Sequence, residues 1–210
     1  AEGGTFDELA AEHATFLTAY QDAAYAARYR TLVERVRIHA AADAALTEAV
    51  ARSYFKLLAI KDEYEVARLY AESDFLERID AAFEGDYELQ FHLAPPLLAR
   101  PDPTSGRTAK IAFGPWMMTA FRWLARARRL RGTRWDIFGR SAERRLDRQL
   151  LADFEDDVAL ILARLSPATL AAAIELAALP QQIRGFGHVR QKSALATRRE
   201  RERLRVALGT

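Results

Sequence analysis

A chain of 210 residues can bury roughly 70% of its extended surface, enough for one core or for two lobes that share an interface. Half of it is hydrophobic and 29% is charged, its apolar runs stop well short of the ~18 residues of a membrane span, and the lack of cysteine excludes disulfides, thiolate zinc sites and any iron–sulfur cluster on its own thiolates. The net charge of +2 is unevenly spread: residues 1–106 hold 10 Lys or Arg against 19 Asp or Glu and residues 107–210 hold 21 against 10, so the halves are expected to face and neutralise each other.

The AEGG start has no initiator Met and no basic-then-apolar leader, and it reads as a cut edge of a cytoplasmic protein. Thr5 and Glu8 have the capping-box form, and Phe6, Leu9, His13, Phe16, Leu17, Tyr20 and Ala24 recur at spacings of three and four. That pattern predicts a long amphipathic helix, kinked somewhere before Val36 or Ile38, with His13 as a core histidine. The alanine run from Ala40 to Ala45 favours helix but buries little, and is expected to be a soft joint. Leu46, Val50, Tyr54, Leu57, Leu58, Lys61, Tyr64 and Leu69 trace a second helical face, stopped by Ser73 and Asp74; a shorter helix carrying Phe75, Leu76, Ile79 and Phe83 then runs to Gly85. Asp62 and Glu63 are adjacent and so point about 100° apart on a helix, which predicts a solvated face with local ion pairs rather than an acid–base pair.

Residues 83–116 interrupt the helical pattern. Tyr87, Leu89, Phe91 and Leu93 alternate with Glu88, Gln90 and His92, and Ile111 and Phe113 can supply a partner, which predicts a small β-hairpin over about 87–93 and 108–113. Pro101, Pro103 and Gly106 make the connection between them a wide loop.

Gly114 and Pro115 open a helix that is expected to end near Gly132. At 100° per residue, Trp116, Met117, Ala120, Phe121, Trp123 and Leu124 fall on a broad apolar arc, while Arg122, Arg126 and Arg129 form an exposed cationic stripe opposite. Arg128 and Arg131 are expected to cap the last carbonyls. Ser141 opens a long helix whose core face is Leu146, Leu150, Leu151, Phe154, Val158, Ile161, Leu162 and Leu165; its Asp153, Glu155, Asp156 and Asp157 have no second ligand cluster to make a metal site with. Ser166 and Pro167 cap a short alanine-rich helix that Pro180 stops. QQIRGFGHVR then sets Phe186 between two glycines, with Arg184 and His188 on either side. A helix-to-helix turn with Phe186 packed inward is the expected arrangement, and an anion site on the turn's amides is the alternative. The final RRERERLR reads as a solvated helix or a frayed end.

The fold class is therefore mainly α: a bundle-like domain of about six to eight helices with one small hairpin insertion. It is read as a single domain over 1–210, with possible lobes at 1–85 (acidic) and 114–210 (basic) joined by the hairpin segment 86–113.

FEGDYELQFHLAPPLLARPDPTSGR, FGPWM and IRGFGHVRQ, with LTEAVARSYFKLLAIKDEYEVARLY upstream, resemble the C-terminal region of the fused, single-chain indolepyruvate ferredoxin oxidoreductases. The resemblance runs from about Tyr20 to Lys192. It implies a non-catalytic accessory domain of a larger oxidoreductase, which oxidatively decarboxylates an arylpyruvate to an acyl-CoA and passes electrons to ferredoxin. It also implies that thiamine diphosphate, the iron–sulfur clusters and coenzyme A belong to other regions, with no cofactor in this chain. The partners it implies are the catalytic domains of the same polypeptide, ferredoxin, and further copies in a homo-oligomer. On that reading the docking or anion-binding residues are Arg122, Arg126, Arg129, Arg184, Phe186 and His188, the first three steering an acidic ferredoxin or a coenzyme A phosphate.

Catalysis by this chain alone is not expected. It has no GxSxG, HExxH or Walker sequence, EGD at 84–86 does not match a thiamine-diphosphate motif, and His13, His39, His92 and His188 lack metal spacing. The competing expectation is a stand-alone binding module whose basic C-terminal half grips a polyanion such as nucleic acid. The missing helix-turn-helix, RNP and KH signatures and the acidic N-terminal half weigh against it.

Overall fold

The structure, a computed structural model, describes residues 5–40, 43–85, 87–93 and 110–209. It is mainly α-helical with one two-stranded antiparallel hairpin, as the sequence pattern predicts. In chain order the elements are α1 (Phe6–Tyr20), α2 (Ala23–His39), α3 (Ala44–Leu58), α4 (Glu63–Glu72), α5 (Phe75–Ala82), β1 (Phe91–Leu93), β2 (Ile111–Phe113), α6 (Met117–Arg126), α7 (Ala142–Arg164), α8 (Leu170–Ala178) and α9 (Gly187–Ala207). Short 3-10 turns follow α6 at Ala127–Leu130 and α8 at Leu179–Gln182.

The chain divides into two compact units, one made of Ala1–Ile60 with Arg140–Thr210 and the other of Lys61–Gly139. The divisions thus fall at residues 60 and 139 rather than at the hairpin. Each unit combines an acidic stretch with a basic one, so the charge asymmetry closes inside both: 19 Lys or Arg against 17 Asp or Glu in the first, 12 against 12 in the second.

Aspartates decide where the helices break. The Thr5 capping box forms as read, with Glu8 N donating to Thr5 Oγ1 and Thr5 N donating to Glu8 Oε2. The single long helix expected after it is two helices, because Asp22 accepts a hydrogen bond from Tyr25 N at 2.8 Å and caps α2. The second expected face is likewise divided: Ala59 leaves helical geometry, and Asp62 caps α4 by accepting from Glu65 N at 2.8 Å. Gly85 has φ +89° but lies beyond the cap of α5, which ends at Ala82.

In the first unit, α3 buries Leu46, Val50, Tyr54, Leu57 and Leu58 against α1, α2, α7 and α8. The rings of Tyr29, Tyr54 and Phe154 stack in series with centroids 6.0 and 5.9 Å apart. Full burial of side chains of this size contributes about 1.5–3 kcal/mol each, which makes this column of rings the heart of the unit. His13 joins it as a core histidine, stacked on Phe55 at 3.9 Å and hydrogen-bonded through Nδ1 to Tyr29 Oη at 2.8 Å. The C-terminal RRERERLR does not fray: Leu204 and Leu208 are buried in the same core, so α9 is one of its walls.

The second unit has a smaller core of Ala67, Phe91, Met118 and Phe121. Tyr70 stacks on Phe121 at 4.9 Å, and Phe91 meets both rings edge-on. The hairpin pairs Phe91 with Phe113 and Leu93 with Ile111, over shorter strands than the alternation suggests. The expected wide loop through Pro101, Pro103 and Gly106 lies outside the described residues. Among the described residues no helix is long and apolar enough to cross a membrane.

Candidate functional site

Most charges of the interior serve the scaffold. Asp62, expected on a solvated face, is instead 3% exposed, and Arg131 grips both its oxygens at 2.6 and 2.8 Å. Arg131 therefore reaches across to α4, while Arg128 caps Ala125 O as expected and also pairs with Glu72. Glu65 holds Arg68 in a two-point pair at 2.8 and 2.9 Å. In the first unit, the acids of α7 are dispersed among bases. Asp157 accepts from Arg201 at 2.6 and 2.9 Å and from Arg205, Glu155 accepts from Arg28 and Tyr54 Oη, and Asp147 takes Arg144 and Arg190. Such forked arginine–carboxylate pairs fix one helix against another. Among the described residues no group of His, Asp or Glu is arranged to hold a metal ion.

Two surfaces are left. The first is the outer side of α6. Its inner face is Met118, Phe121 and Ala125, which shifts the helix relative to the arc read from sequence. Trp116 and Trp123, expected on that arc, are 62% and 67% exposed. They lie with Thr119 and Arg126 at i, i+3, i+7 and i+10, so they share a ridge with the arginines instead of opposing them. The reason is size: three helical positions and Phe91 of the hairpin fill the small core, and the indoles at its margin have no room inside. The Arg126 guanidinium sits 5.5 Å from the Trp123 ring centre, and Arg122 and Arg129 are exposed beside it as the sequence predicts.

The second surface is the GFG loop. Gly185 and Gly187 have φ of +84° and +55°, a region open to glycine, and a Cβ at Gly185 would come within 2.5 Å of Val189 Cγ1. Ser193 pins the turn, accepting from Arg184 N at 3.1 Å and donating to Gln182 O at 3.2 Å. Phe186 does not pack inward: it is 69% exposed at the start of α9, while Ile183 takes the buried place. Arg184 and His188 are also exposed. Behind the loop the Lys56 ammonium donates to Gln181 O at 2.7 Å, and burial together with the charges of Arg190 and Arg184 holds its pKa below the ordinary lysine value. The structure thus places Arg184, Phe186 and His188 together on the first unit and Arg122, Arg126 and Arg129 together on the second.

Sequence reasoning passed over one further element of the second unit, the turn from Gly132 to Gly139. Buried Asp136 organises it, accepting from Gly132 N, Phe138 N and Gly139 N at 2.8 to 3.2 Å and from Tyr64 Oη at 3.2 Å. The turn presents Trp135 outward with Arg134 4.8 Å from its ring centre. An aspartate followed at three residues by glycine after a helix end is the signal that would have found it.

A family model described as "Family of unknown function (DUF6537)" matches residues 6–203. No curated protein and no solved structure matches the chain.

Proposed function

We propose that this chain, which belongs to the family of unknown function DUF6537, is a non-catalytic accessory domain of an indolepyruvate-type 2-oxoacid:ferredoxin oxidoreductase, docked on the enzyme's catalytic regions. The observation that carries the docking role is the GFG loop: two left-handed glycines and Ser193 hold a turn in a form that presents Phe186 to solvent. An aromatic held outward by a fixed turn, with half-exposed Val189 three residues on, makes an apolar surface suited to a protein partner. The same loop belongs to IRGFGHVRQ, one of the runs on which the resemblance to the oxidoreductases rests. The interior charges, closed into arginine–carboxylate pairs within and between helices, suit a scaffold. The near-neutral balance of each unit favours a protein partner over a polyanion. In this reading thiamine diphosphate, the iron–sulfur clusters and coenzyme A are held by the rest of the enzyme.

The test is indolepyruvate- and coenzyme A-dependent electron transfer by the full-length enzyme, compared with a version lacking this domain and with that version plus the domain added in trans. Loss on deletion, rescue by the added domain and failure of rescue by its Phe186→Ser variant are expected. Full activity and normal assembly without the domain would overturn the reading.

A further inference from the structure

We infer that the second unit carries two complementary faces through which copies of this chain associate: the arginine–tryptophan ridge of α6 in one copy docks on the acidic, aromatic face of α5 and the segment after it in another. The inference is independent of the accessory-domain reading. It begins with how the arginines between residues 122 and 134 are used. Arg128 and Arg131 pair inward with Glu72 and Asp62, whereas Arg122, Arg126, Arg129 and Arg134 enter no ion pair with any described residue. Two of those four instead lie over exposed indoles, Trp123 and Trp135.

The acids of the same unit divide in the same way. Asp62, Glu65 and Glu72 are paired, while exposed Asp74, Glu77, Asp80, Glu84 and Glu88 form no ion pair with a described residue, and Arg78 is the one described base among them. Between these carboxylates stand two outward aromatics, Phe83 and Tyr87, with ring centres 6.1 Å apart and the Tyr87 hydroxyl donating to Asp80. α5 itself has no fully buried residue. One face therefore offers exposed indoles with a guanidinium over the ring of Trp123, and the other offers two neighbouring aromatic rings with a carboxylate on the Tyr87 hydroxyl.

Both faces are within one unit, yet among the described residues no ion pair joins them there. A second copy brings the missing half to each, and brings it in matched chemistry: tryptophan and arginine anchors for the centre, opposite charge for the rim. A nucleic acid would satisfy only the ridge, and its phosphates would be repelled by the acidic face of a unit with 12 acids against 12 bases. When ridge meets acidic face in both directions the contact closes as a two-fold dimer; otherwise it propagates head to tail.

The experiment is sedimentation velocity of the full chain at low and high salt, on wild type, R122E/R126E, E84R/E88R and an equimolar mixture of the two variants, with circular dichroism confirming that each folds. Expected are self-association of wild type that weakens with salt, association about tenfold or more weaker in each variant alone, and recovery in the mixture, where each remaining native face meets its complement. Wild type that stays monomeric at low salt, association indifferent to both reversals, or a mixture that fails to recover would each overturn the proposal. A monomer whose ridge is engaged only by added nucleic acid or by another protein would overturn it too. Should a double reversal not fold, Arg126→Gln and Glu84→Gln put the same question by removing one charge from each face without reversing it.

Discussion

The two units solve the same problem with different means. The first joins segments from both ends of the sequence and buries a column of aromatic rings, and its polar bonds link residues more than a hundred positions apart, as in Tyr54–Glu155 and Lys56–Gln181. The second is one continuous stretch with four buried apolar residues at its centre. Both units carry arginine forks, but the second adds the Asp136 turn to a much smaller core, and all three tryptophans of the chain are on its surface. A small core cannot take in every large side chain its sequence carries. What is left outside is the material on which the proposed self-association draws.

The sharpest way to break this comparison is to remove one polar anchor from each unit. Asp157→Asn in the first takes the charge from between Arg201 and Arg205. The arginines keep some solvent, so the expected loss is about 2–4 kcal/mol, toward the lower side of what breaking a buried pair costs. Urea unfolding followed by circular dichroism measures it. Asp136→Ala in the second removes the acceptor of three backbone N–H groups and of Tyr64, for an expected loss of about 1.5–3 kcal/mol. Hydrogen exchange should then quicken in α4, α6 and the 132–139 turn while α3 keeps its protection. Equal loss of protection in both units would mean that they unfold as one body, and the contrast between them would lose its energetic meaning.

The same contrast governs what could be read from the sequence. Long amphipathic faces in the first unit, such as Leu46 to Leu58 and Leu146 to Leu165, were legible because a large core demands an unbroken apolar stripe. The breaks at Ser73–Asp74 and Ser141 were legible too, but those at Asp22 and Asp62 were not, because these aspartates read as surface charges until their carboxylates are seen on Tyr25 N and Glu65 N. Asp62 misled twice, since the arginine that permits its burial is 69 residues away, at Arg131. In the second unit the arginine stripe was legible from helical spacing alone, but the place of Trp116 and Trp123 was not. Hydropathy assigns an indole to the core, and only the size of the core says that it is full. Phe186 failed for a related reason: the glycines announced the turn correctly, but which of Ile183 and Phe186 turns inward depends on the neighbouring helices.

The smallest expected effect separates the units by pH. His13 packs half-buried against Phe55 and Tyr29, and burial, with a lesser contribution from the charge of Arg52, lowers its pKa from 6.5 to about 4. The folded state thus disfavours the imidazolium, and the unfolded chain takes up the proton first. The stability this group supports is complete above pH 6.5, declines as the pH falls from 6.5 toward 4, and is level below that. A full shift of this size would be worth about 3 kcal/mol, and partial exposure of the ring reduces the expectation to about 1–2 kcal/mol between pH 7 and 4. His13→Gln keeps a hydrogen-bonding group near Tyr29 and cannot titrate, so the difference between wild type and variant in urea midpoint across that range isolates the term. Hydrogen exchange at pH 7 and 5, corrected for the intrinsic rate, locates it: α1 to α3 should loosen in wild type but not in the variant, while α4 to α6 respond alike in both. A pH response confined to the second unit would place the sensitive group there and remove His13 from the account.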